Sequence, residues 1–185
     1  LSKTPLFIPL MQVTIRLPHK LLCYGIFSVF CIMGTYYSLP VDDSYANTRA
    51  IGAVLGGLLG GPSVGFAVGL TGGLHRYSMG GITAFACMVS TIAEGVIGGL
   101  AHRHLLKRGR MTDIFHPGIA GLVALLAEIA QMSILLLMVR PFPAAMRLVT
   151  DLALPMTVTN MLGAAMFMRL LLDRRATQEK YSIAF

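Results

Sequence analysis

The sequence has no tryptophan, and only 12% of its 185 residues are charged. A soluble domain carries about 25%, so the polar surface of a water-soluble globule is missing. Acidic residues are the scarcest: eight Asp and Glu stand against fifteen Lys and Arg, a net charge of +7. The basic residues fall between apolar stretches rather than along one soluble face. The excess therefore reads as membrane orientation and excludes a nucleic-acid surface. Cysteine is sparse too. Cys23, Cys31 and Cys87 all lie in apolar segments without CxxC or Cys/His spacing, which argues against a disulfide framework and a zinc site. There are no alternating ten-residue strands of a membrane barrel. GxSxG, Walker and HExxH patterns are likewise missing, so no catalytic residue, metal or cofactor is expected in this segment. The five histidines sit at the ends of apolar runs, and His102 and His104 read as solvated. Without Trp, the interfacial aromatic belt falls to Tyr and Phe.

What is present is 55% hydrophobic, with mean hydropathy +0.72. This predicts an all-α integral membrane protein, a polytopic helical bundle. The clear spans are 21–39, 80–101, 117–139 and 148–172, each near the roughly 20 residues that cross the hydrocarbon core. Between the first two lies a different kind of segment. Nine glycines fall between Gly52 and Gly73, and Gly57, Gly61, Gly65, Gly69 and Gly73 recur at every fourth residue. That spacing keeps glycines on one helix face and lets another backbone approach closely.

Charge decides how residues 49–74 are arranged. As one helix they would be about 39 Å long, too long for an untilted span. Eleven of the fifteen Lys and Arg lie in 1–20, 102–116 and 169–185, which places those segments in the cytoplasm. Asp42 and Asp43 then lie outside, and 49–74 must begin and end outside. The expectation is a hairpin of two short Gly-rich arms, a broken helix turning at Gly60–Pro62, either re-entrant or barely crossing. It would bring Arg49 and Arg76 to one level at the outer surface.

Two guanidinium forks at that rim suit a small carboxylate. The residues alone leave a second reading open, in which the arginines snorkel at the interface or pair with Asp42 and Asp43. Thr83, Cys87, Ser90 and Glu94 share one face of the next span. They suit either a small polar ligand or helix packing by small residues. Glu94, Glu128 and Asn160 lie well inside their spans, with Gln131 near Glu128. A switch, an ion pathway and interhelical polar glue all fit them.

The strings Asn47-Thr48-Arg49-Ala50, Gly60-Gly61-Pro62, Gly69-Leu70-Thr71-Gly72-Gly73-Leu74-His75-Arg76-Tyr77 and Glu94-Gly95 carry a resemblance. Together they resemble the LytS/YhcK-type multi-transmembrane receptor domain (5TMR-LYT) of LytS-like sensor histidine kinases, and within it the pyruvate-sensing kinases. The resemblance covers essentially the whole chain. It implies that extracellular pyruvate binds at Arg49, Arg76, Cys87 and Ser90. The arginines would hold the carboxylate, and Cys87 and Ser90 would meet the keto end. It further implies a homodimer, a first span before residue 1, and a GAF-like and kinase region beyond residue 185 acting on a LytR-type response regulator. The expected organisation is a cytoplasmic-side connector over 1–20, a membrane sensor domain over 21–172, and a linker from 173. Membrane lipid is an expected partner and nucleic acid is not. The competing expectation is a substrate-binding membrane subunit of a small-molecule transporter, since broken helices with glycine faces also occur at transporter sites.

Overall fold

The computed structural model describes residues 17–37, 39–41, 44–46 and 48–183. Helix α1 spans Leu17–Tyr36, α2 Arg49–Gly60, α3 Pro62–Ser78, α4 Ala84–Lys107, α5 Pro117–Met138 and α6 Phe142–Ile183. A 3-10 turn over Met111–Phe115 joins α4 to α5. Among the described residues the only β structure is a short ladder, β1 (Leu39–Val41) against β2 (Ser44–Ala46), with Leu39 opposite Ala46. Among the described residues, four helices are long and apolar enough to cross a membrane: α1, α4, α5 and the Phe142–Arg174 stretch of α6. The all-α polytopic expectation therefore holds. Asp42, Asp43 and Asn47, on which part of the sidedness and motif reading rests, lie outside the described residues.

The expected break in the glycine-rich segment is present. Gly61 has φ 85° and its N–H donates to Gly57 O at 2.8 Å, a left-handed conformation that glycine adopts without a Cβ penalty. Pro62 then opens α3, where its missing N–H has no helical partner to lose. The arms have 12 and 17 residues.

The glycine stripe is the surface on which the hairpin meets α4. Gly57 and Gly65 face each other, and a methyl on either would collide with the carbonyl oxygen of Gly95. Further out, a methyl on Gly69 would stand 2.6 Å from Thr91 O, and one on Gly73 2.9 Å from Met88 O. On its other side α2 lies against α1, where a methyl on Gly52 would stand 2.8 Å from the Cys31 backbone nitrogen. The hairpin is thus held between α1 and α4, with α5 and α6 packed beyond.

Among the described residues the side chains form two apolar cores. The larger includes Phe27, Leu55, Leu58, Val68, Ile114 and Met168. The smaller joins Ala86 and Cys87 of α4 to Met132 and Leu135 of α5 and Leu152 and Met156 of α6. Leu137, Leu154 and Met166 are left outward-facing, as lipid-facing positions should be.

The hairpin is deep. Its tip meets His102, whose Nδ1–H donates to Leu58 O at 2.7 Å, about 27 Å along α4 from Ala84. His102 is accordingly buried, which corrects the solvated reading. The last carbonyls of α2 have no intrahelical donor, and the imidazole supplies one.

Candidate ligand site between the hairpin and helix α4

Arg49 is the first residue of α2, and Arg76 lies in the last turn of α3. Both are enclosed, at 0% and 1% exposure. Arg49 Nε donates to Thr91 Oγ1 at 2.7 Å. Arg76 Nη1 donates to Gly80 O at 2.7 Å and Nη2 to Thr83 Oγ1 at 3.0 Å. Thr83 and Thr91 flank Cys87 on α4, four residues to either side, and so share its face. The Cys87 carbonyl accepts from Thr91 Oγ1 at 2.7 Å and from Ser90 Oγ at 3.1 Å. All four expected site residues therefore meet one stretch, residues 83–91, made of Thr83 and the first turns of α4, and each is buried.

Two details differ from the sequence reading. The arginines lie inside the bundle rather than at its rim, and they are not level. The threonines that take them are eight residues apart, about 12 Å along α4. The register of the hairpin supplies about 4.5 Å of this offset. Gly57 pairs with Gly65 where both meet Gly95. From that level Arg49 is eight residues up one arm and Arg76 eleven up the other.

Below Arg49 the polar seam continues. Glu94 is buried one turn beyond Thr91, and neither of its carboxylate oxygens has a hydrogen-bond partner among the described residues. Glu128 of α5 accepts from Asn160 Nδ2 of α6 at 2.5 Å, with Gln131 buried nearby on α5. The Glu128–Asn160 contact is interhelical polar glue, one of the readings the sequence left open. The residue that sequence reasoning missed is Thr91. It stands four residues beyond Cys87, and the same spacing that singled out Thr83 would have found it.

Cys31 is buried and donates its thiol to Arg49 O at 3.3 Å, which fixes the start of α2. All three cysteines are free. Beside that start, an apolar cleft of about 510 Å³ opens between α1, α2 and α6, walled by Met33, Gly34, Thr48, Ile51 and Phe167.

A family model described as 5TMR of 5TMR-LYT matches residues 4–174. The chain belongs to this family. Sensor histidine kinase BtsS of Escherichia coli (strain K12) is 65% identical over 185 residues, all of this chain and 33% of that protein. Sensor protein LytS of Bacillus subtilis (strain 168) is 38% identical over 187 residues, 92% of this chain and 31% of that protein. Sensor histidine kinase YpdA of Escherichia coli (strain K12) is 31% identical over 159 residues, 84% of this chain and 27% of that protein. No solved structure matches. This 5TMR-LYT chain spans about a third of the length of these curated relatives. It is a LytS-type membrane sensing domain, and that favours a sensor over a transporter subunit.

Proposed function

We propose that this domain binds pyruvate, or a similar small 2-oxo acid, from outside the cell and passes the event to a cytoplasmic kinase region. The observation that carries the reading is the enclosure of two arginines in one seam, on either side of Cys87. An arginine enclosed at membrane depth, as Arg49 is beside Thr91, is costly and by default functional, and a planar guanidinium fork matches a carboxylate. The family resemblance supplies the ligand class.

Thr83, Gly80 and Thr91 accept hydrogen bonds from the two guanidinium groups. A carboxylate entering beside Cys87 competes for both forks and draws them together, with Ser90 and the Cys87 thiol toward the keto end. A ligand shifts an equilibrium only by its different affinity for two states. Here the states differ in how α2 and α3 sit on α4. Helix α6 has 42 residues, about 63 Å, twice the hydrocarbon thickness, so it can carry the change out of the bilayer. In this reading the domain is a homodimer in the bacterial inner membrane, its C-terminus is cytoplasmic, and the kinase region acts on a LytR-type response regulator.

The test is pyruvate titration of the purified chain in nanodiscs by calorimetry. Arg49→Ala and Arg76→Ala should each weaken binding about 100-fold, from the roughly 1.5–3 kcal/mol of a charge-assisted hydrogen bond. Arg→Lys should not restore it. Binding undiminished in both alanine variants would overturn the site.

A further inference from the structure

A second groove, far from the arginines, lies between α4 and α5 at the end where α4 finishes and α5 begins. Its volume is about 640 Å³. The floor is apolar, built from Ile97, Leu100 and Ala101 of α4 and Val123 and Leu126 of α5. Its rim at the Lys107 end is basic, with Arg103, His104 and Lys107. We propose that this groove binds one anionic phospholipid, its phosphate on Arg103 and Lys107 and an acyl chain along Leu100 and Leu126.

Depth matches this occupant. Leu100 stands about 24 Å along α4 from Ala84, and Arg103 to Lys107 about 29 to 35 Å. A hydrocarbon layer of about 30 Å with one boundary at Ala84 puts the floor at acyl depth and the basic rim at headgroup depth. Leu100 and Leu126 are 53% and 49% exposed, and at that depth lipid tails are what covers them.

Charge matches too. Arg103 and Lys107 are one turn apart on a helix face, with His104 between them, so their side chains converge on one phosphate. No Asp or Glu occurs from residue 95 to residue 112, and the first beyond, Asp113, is paired with Arg110. The start of α5 at His116 and Pro117 adds the positive end of a helix dipole on the same side. A zwitterionic headgroup would bring its own cation into this field, and an anionic one would not. Basic pockets between membrane helices on the cytoplasmic side recognise anionic headgroups for these reasons.

Native mass spectrometry of the delipidated chain tests the site, with phosphatidylglycerol or phosphatidylcholine added to the detergent. Phosphatidylglycerol adducts should be retained at least tenfold better than phosphatidylcholine adducts. The Arg103→Gln/Lys107→Gln double variant should lose that preference. The Arg169→Gln/Arg174→Gln double variant, which removes the same charge from α6, should keep it. All four side chains are exposed, so the thermal midpoint should stay unchanged in both variants. Inorganic phosphate in the millimolar range should leave the adduct in place, because the acyl contacts are lost without the tail. Retained preference in the α4 variant would overturn the site. So would equal loss in the α6 variant, which reports bulk charge, or displacement by free phosphate.

Discussion

Where α2 and α3 lie on α4, carbonyl oxygens approach α-carbons. Where α5 lies on α6, side chains touch side chains. Gly57, Gly65, Gly95 and Gly99 leave no room for a single methyl, whereas Met132, Leu135, Leu152 and Met156 interdigitate across the other seam. Lipid tails are as apolar as leucine, so neither seam gains much from excluding water. The first relies on close dispersion contact between backbones and the second on shape and one polar pin, Asn160 to Glu128. The glycine seam also brings the hairpin near enough for Arg49 and Arg76 to reach hydroxyls on α4. A shift along this seam therefore moves those arginines, which ties the position of the hairpin to the proposed site.

A single methyl breaks the comparison most sharply. Gly65→Ala puts a carbon against the Gly95 carbonyl, a backbone atom that cannot rotate away. It should cost about 3 kcal/mol, the upper part of the overpacking range, as a lowered midpoint of denaturant-induced unfolding in detergent. Gly121→Ala on α5 is the control. Its added carbon would lie 3.4 Å from Met161 Cγ, an ordinary contact with a flexible side chain. It should be neutral, or stabilising by up to about 1 kcal/mol, since alanine is the better helix former. Equal losses in the two variants would mean that the seams do not differ in kind.

The polar pin comes next. Asn160→Ala leaves a buried Glu128 oxygen without its donor and should destabilise by about 1–2 kcal/mol. The arginine contacts that hold the proposed carboxylate lie on the other seam, so pyruvate affinity should change less than threefold while transmission to α6 suffers. A disulfide-trapping assay between α4 and α6, with and without ligand, would report the coupling. A large fall in affinity would place Asn160 in the ligand site instead.

The hairpin was readable because its cause is local. Gly61 and Pro62 end one helix and start another whatever surrounds them. The Glu128–Asn160 contact was readable because polar groups near the midplane of neighbouring spans must find each other. The levels of Arg49 and Arg76 were not. Counting from Pro62 makes the arms symmetric, but the register is set by Gly57 and Gly65 meeting one carbonyl of α4, a tertiary fact without a local mark. The same reason hid Thr91 as the partner of Arg49.

His102 is the smallest test and concerns the end of the glycine seam. Its histidine looked like one of several solvated rings near a basic run. Its partner is a carbonyl in the last turn of α2, a group that the sequence leaves unnamed because any helix end has several. Replacing it with alanine removes one buried hydrogen bond and should cost about 1 kcal/mol, a third of the Gly65→Ala effect. The loss should also be local. Hydrogen exchange should quicken around 57–62, at the turn, and stay slow in the outer parts of α2 and α3, which Gly52, Gly69 and Gly73 still lock to their neighbours. A loss as large as that of Gly65→Ala, or exchange quickening along both arms, would show that the tip anchors the hairpin and that the glycine face only follows.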